Sequence, residues 1–201
     1  MTTRPRPVLL LLATLMVSST ASPVLAHTFG AAGAGLSAGL AHPFLGLDHL
    51  LAMVAVGLWA AQRGGAATWR VPGVFVAVMA VGALLGLAGA PLAAVEFGIA
   101  GSVLLFGILV ALSARLPSGA GLALVGFFAL FHGHAHGTEL ALTAAPALYA
   151  LGFLVATLSL LGAGIGAGLL ARHPARPAAR AWLRAGGAVI AGAGAALVLG
   201  A

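Results

Sequence analysis

Six stretches of 18 or more mostly apolar residues follow one another along this chain, at about 43–62, 71–90, 92–114, 119–138, 146–171 and 183–201. At 1.5 Å per residue each is long enough to cross the roughly 30 Å of hydrocarbon in a bilayer. The separators are short and rich in Gly, Pro and Arg: 62–65, 89–91, 115–119 and 172–177. They leave no room for a soluble domain. Composition agrees, with 62% hydrophobic residues, 6% charged residues, no Lys and a mean hydropathy of +1.15, against about a quarter charged in soluble domains. The predicted fold is an all-α integral membrane protein, with a bundle of about six transmembrane helices occupying residues 27–201.

The first 26 residues read as an address. Arg4 and Arg6 form a basic start, the apolar core from Val8 to Val17 is too short to span, and Val24-Leu25-Ala26 offers small residues at the cleavage positions. This predicts a Sec-type signal peptide over 1–26, cut after Ala26, with an uncleaved first anchor as the alternative. Cleavage makes His27 the new N-terminus, where the free amine and the ring can chelate a metal together. A terminal His that simply sits in solvent is the competing reading.

A pI near 11.9 invites a nucleic-acid reading, but no aromatic-interleaved basic face accompanies it, and that reading is rejected. The Arg instead report orientation. All seven beyond residue 26 (Arg63, Arg70, Arg115, Arg172, Arg176, Arg180 and Arg184) fall in the first, third and fifth connections between spans, and none falls in the second or fourth. The positive-inside rule makes those three connections cytoplasmic. The expected location is the bacterial inner membrane, multi-pass, with the mature N-terminus and the C-terminus in the periplasm.

Ionisable residues within such spans are expensive and are functional candidates by default. Two clusters stand out. His42, Asp48 and His49 open the first span; His132, His134, His136 and Glu139 close the fourth. Glu96 lies about one turn into the third, so all three acids of the chain sit toward the outer face. On a continuous helix His42 and His49 share a face as i, i+7, with Met53 one turn deeper, while His132, His136 and Glu139 form an i, i+4, i+7 stripe. The chain has no Cys, which leaves nitrogen and oxygen ligands with Met thioethers as minor candidates. Neutral imidazole suits Ni, Co, Zn and Cu, whereas an all-oxygen set points to Mg or Ca. The implied partner is a divalent transition metal ion, handled as cargo, with no prosthetic group and no catalytic residue.

The segment His42-Pro43-Phe44-Leu45-Gly46-Leu47-Asp48-His49-Leu50-Leu51-Ala52-Met53, the later Phe131-His132-Gly133-His134-Ala135-His136-Gly137-Thr138-Glu139 and a His directly after a signal peptide resemble the HupE/UreJ family of hydrogenase and urease accessory membrane proteins. The resemblance covers essentially the whole mature chain. It implies a small permease importing Ni²⁺ or Co²⁺ for metalloenzyme assembly, with His42, Asp48, His49, His132, His136 and Glu139 as functional positions. The spacing of His, five residues, Asp-His is one residue longer than the related signature of the broader nickel/cobalt permeases.

Blander readings stand beside these. Pro43 can mark the start of a helix, being tolerated in the first turn, with His42 then interfacial. Asp48 and His49 are adjacent and point to different faces, so one can bind while the other orients a partner. His134 lies off the stripe and reads as structural; Glu96 can serve a neighbouring helix; Met53 reads as packing; His173, in an Arg-rich connection, reads as solvated. Repeats such as Gly35-x-x-x-Gly39, Gly82-x-x-x-Gly86 and the run Gly162, Gly164, Gly166, Gly168 predict close helix packing, with a homo-oligomer through Gly-rich faces left open. The strongest rival function is an intramembrane zinc-dependent hydrolase, assisted by a Ser such as Ser37 or Ser102, although neither a His-Glu-x-x-His nor a Gly-x-Ser-x-Gly motif is present. A bis-His haem protein and a membrane metal sensor or chaperone are further alternatives.

Overall fold

A computed structural model describes residues 35–140, 142–143, 145–172 and 177–201. The expected signal peptide, His27 and His173 lie outside the described residues. Among the described residues seven helices follow in order: α1 (Leu36–Leu45), α2 (Leu47–Arg63), α3 (Ala67–Leu87), α4 (Val95–Leu112), α5 (Ser118–Leu140), α6 (Pro146–Ala171) and α7 (Pro177–Gly200). Among the described residues all regular structure is helical. The five helices α3 to α7 are long and apolar enough to span a bilayer, and α1 and α2 are together as long and apolar but are bent by 80° at the break between them. The chain is a multi-pass membrane protein.

The first span corrects the expectation of a continuous helix over 43–62. Helix α1 begins at Leu36, so Pro43 does not mark a helix start; it lies near the end of α1. Proline has no N–H to donate and crowds the carbonyl one turn back. Three residues later Gly46 adopts an extended conformation (φ −81°, ψ 107°), and its N–H bonds the His42 carbonyl at 3.2 Å before α2 starts. His42 and His49 therefore do not share the face of one helix. They meet because the chain turns by 80° at Gly46.

The last span also starts earlier than expected, at Pro177 rather than 183. Proline suits a first helical turn, and Ala178-Ala179-Arg180-Ala181 continues with good helix formers. Arg180 consequently lies inside α7 ahead of Arg184, as Arg70 lies in the first turn of α3.

Glycines set the helix spacing. A Cβ on Gly133 or Gly137 of α5 would strike the backbone carbonyls of Met79 and Ala83 on α3, and one on Gly82 or Gly86 of α3 would strike those of Leu130 and His134. The two helices thus touch backbone to backbone, and the glycines of the His-rich segment serve packing. The run in α6 divides by face: Gly164 and Gly168 abut α2, whereas Gly162 and Gly166 have open space around them. Helix α6 also packs on α1, through Gly39 against Tyr149 and Gly152 against Leu36, and α4 packs on α7. Trp59, Phe75, Phe106, Met53, Val56 and Val103 fill the centre between them.

One end of the bundle collects the arginines. Arg172 donates to Ala61 O at 2.8 Å and Arg184 to Ala111 O at 2.8 Å, joined by Trp59 to Ala114 O at 2.9 Å and Gln62 to Val110 O at 3.1 Å. The last carbonyls of a helix have no partner within it and favour cations, so Arg172 closes the end of α2 while Arg184 and Gln62 close that of α4, and Trp59 holds the connection just after α4. Arg63 lies over the Trp59 ring at 4.9 Å. The His-bearing segments sit toward the opposite ends of the same helices.

Candidate metal site

The bend at Gly46 and the close contact of α3 with α5 bring four imidazoles together. His42 of α1, His49 of α2, and His132 and His136 of α5 are all buried. The His49 ring centroid lies 4.2 Å from that of His136, 4.7 Å from His132 and 6.3 Å from His42, and His42 lies 5.0 Å from His136. Imidazoles at this density in an apolar bundle need a role, because each nitrogen asks for a partner.

Carboxylates supply some of those partners. Glu139 Oε2 is 3.3 Å from His42 Nε2 and 3.3 Å from His136 Nδ1. Ligand atoms of His42, His136 and Glu139 all lie within 4.8 Å of one another, close enough to hold one metal ion. Asp48, in the first turn of α2, accepts from the backbone N–H of His49 at 2.7 Å and sits 3.0 Å from His49 Nδ1. A carboxylate is favoured at a helix N-terminus, and here it also orients the ring. His132 Nε2 is 2.8 Å from Ser102 Oγ on α4.

The opposite nitrogens of three of these rings stand differently. Among the described residues, His49 Nε2, His132 Nδ1 and His136 Nε2 are buried without a hydrogen-bond partner. Leaving a buried polar atom unsatisfied costs about 1–3 kcal/mol, so three in neighbouring rings form an energetic deficit that a cation would relieve. Nitrogen donors flanked by carboxylates fit a divalent transition metal better than a hard cation such as Mg²⁺ or Ca²⁺. The carboxylates at the second nitrogens match the arrangement that commonly orients metal-binding histidines.

The remaining candidates lie elsewhere. His134 points away, with Nε2 2.7 Å from Ala90 O, and ties α5 to the end of α3. Glu96 is exposed in the first turn of α4 and is not among the close ligand atoms. Met53 packs in the apolar core. Two lining residues carry no signal in the sequence: Tyr149 and Phe153 of α6 place their rings 5.9 Å from His42 and 4.0 Å from His136. An aromatic residue within an apolar span looks like any other core residue. Phe75 of α3 adds a third wall, 5.7 Å from His132.

The profile of the HupE / UreJ protein family matches residues 14–197. Protein HupE of Rhizobium leguminosarum bv. viciae is similar, at 46% identity over 188 residues, covering 93% of this chain and 97% of that protein. No solved structure matches. With a profile spanning nearly the whole chain and a relative of this identity over almost its full length, the chain belongs to the HupE/UreJ family.

Proposed function

We propose that this chain is an inner-membrane permease that imports a divalent transition metal, Ni²⁺ or alternatively Co²⁺, for hydrogenase or urease metallocentre assembly. The observation that carries the reading is the set of three buried, unpartnered imidazole nitrogens on His49, His132 and His136, beside the His42–His136–Glu139 group. The arginine-rich end faces the cytoplasm by the positive-inside rule, which places the imidazoles toward the periplasm.

On this reading the ion loses water in stages. His42, His136 and Glu139 receive it first, with His27 recruiting it if the signal peptide is removed. His49 of α2 and His132, one turn before His136 on α5, receive it next, and Asp48 and Glu139 offset its charge. The absence of thiolates suits release as well as capture, since transport needs binding that is favourable but escapable. Membrane potential favours entry of a dication by about 4.6 kcal/mol per 100 mV, at roughly 2.3 per charge.

The zinc-hydrolase alternative gains nothing from Ser102. Its hydroxyl donates to Ile99 O at 2.6 Å and the residue is fully buried, an arrangement unlike that of an activated nucleophile, whose proton is given to its base. Radiolabelled nickel uptake by cells carrying the wild type or His49→Ala at matched membrane abundance tests the proposal. Loss of uptake in the variant supports it; equal uptake overturns it.

A further inference from the structure

We propose that Ser102 is a positioning residue for metal capture, holding His132 as its Nε2–H tautomer so that this ring binds the cation through Nδ1. The assignment rests on the permease reading and adds to it the binding atom of one ligand and the residue that selects it.

The protons at Ser102 and His132 can be counted. Ser102 has one hydroxyl hydrogen, and Ile99 O, a carbonyl 2.6 Å away, can only accept. That hydrogen is therefore committed to Ile99. The 2.8 Å contact between Ser102 Oγ and His132 Nε2 must then be made by a hydrogen on the imidazole, with Nε2–H donating to the hydroxyl oxygen. A neutral imidazole carries a single N–H, so Nδ1 is left as a bare lone pair. This is the nitrogen found buried without a partner.

The same count runs the other way for its neighbours. His49 Nδ1 faces Asp48 and His136 Nδ1 faces Glu139, both acceptors, which places the hydrogen on Nδ1 and leaves Nε2 bare in each. All three unpartnered nitrogens are thus lone pairs, and the set is mixed: Nε2 of His49, Nε2 of His136 and Nδ1 of His132. Their partners differ because their surroundings do. Asp48 and Glu139 retain some exposure, whereas Ser102 and His132 have none. An unpaired carboxylate at Ser102 would be costly to bury, while a hydroxyl fixes the tautomer without adding charge. The back-bond to Ile99, one turn earlier on α4, locks the hydroxyl rotor.

The test uses full-length protein in detergent with ¹⁵N-labelled histidine and no metal. Long-range ¹H–¹⁵N correlation reads the tautomer of each ring, and the His132 signals are identified by their absence in His132→Asn. Wild type and Ser102→Thr are expected to show His132 as the Nε2–H form, and Ser102→Ala to lose that single form. Ni²⁺ affinity is expected to fall by about 10–100-fold in Ser102→Ala, as for loss of other partners that orient metal ligands, and to be largely retained in Ser102→Thr. A wild-type His132 carrying its hydrogen on Nδ1 overturns the assignment, as does a Ser102→Ala protein with unchanged tautomer and affinity. The wild-type spectrum decides even where Ser102→Ala does not fold. An Nε2–H tautomer in a wild type that binds no Ni²⁺ overturns the permease reading and the metal role together, whereas an Nδ1–H tautomer with tight Ni²⁺ binding overturns this assignment alone.

Discussion

His42 Nε2 and Glu139 Oε2 lie 3.3 Å apart, joining the short helix before the Gly46 bend to the end of α5 across almost one hundred residues of chain. The same oxygen reaches His136 Nδ1. One carboxylate therefore orients rings from two helices, and replacing it by an amide of the same shape removes its charge while keeping its volume. Glu139→Gln is expected to weaken Ni²⁺ binding by about 10–100-fold with little change in thermal stability. Competition with a metal-binding dye on purified protein measures the first, and a melting curve the second.

Backbone contact between α3 and α5 is expected to be as necessary as the ligands. At Gly133 an added methyl group would run into Met79 O, whereas at Gly162 it would meet open space. Gly133→Ala should destabilise the protein by about 1–3 kcal/mol, as overpacking does, and reduce nickel uptake by displacing His132 and His136. Gly162→Ala should leave uptake unchanged and, if anything, stabilise the protein by up to about 1 kcal/mol through helix propensity. Thermal unfolding in detergent, together with uptake at matched abundance, compares the two.

The bend between α1 and α2 is expected to depend on Pro43 and Gly46. Restoring alanine at both removes the two poorest helix formers of the segment, worth about 3 and 1 kcal/mol in a helix interior, and favours a straight helix that carries His42 away from His136. Because the chain has no Cys, spin labels can be placed cleanly at Leu36→Cys on α1 and Leu158→Cys on α6. Pulsed-EPR distances between them should lengthen in the Pro43→Ala, Gly46→Ala background, with Ni²⁺ affinity falling at least tenfold; an unchanged distance would show that the tertiary contacts alone impose the bend.

Orientation is equally open to single cysteines. Ala88, after α3, and Ser118, at the start of α5, are exposed at opposite ends of the bundle. A membrane-impermeant maleimide applied to spheroplasts should label Ala88→Cys directly and Ser118→Cys only after permeabilisation. The reverse pattern would place the imidazoles at the cytoplasmic face and contradict capture from the periplasm.

Much of this architecture can be read from the residues because lipid allows so few solutions. The five long spans appear as uninterrupted apolar runs, and the His132, His136, Glu139 stripe is visible because α5 is regular there. The broken first span is not visible. An apolar run does not say whether its backbone continues, and Pro43 is compatible with a helix start, a kink or an end. The face shared by His42 and His49 on paper consequently gives way to an 80° turn that brings them together by another route. The role of Gly133 and Gly137 is hidden for a related reason: spacing of four shows that a helix is approached closely, but not by which neighbour. Ser102 is one hydroxyl in an apolar helix, and only the position of α4 against α5 reveals that it meets His132.

The central claim is that the imidazoles of α1, α2 and α5 converge on one cation, and X-ray absorption at the nickel edge reads this directly. Purified wild-type protein loaded with one equivalent of Ni²⁺ should show nitrogen and oxygen ligands only, with the outer-shell scattering of at least three imidazoles, and that scattering should diminish in His49→Ala and His136→Ala. A nickel ion surrounded by water and carboxylate oxygen, or imidazole scattering identical in the wild type and both variants, would contradict the account.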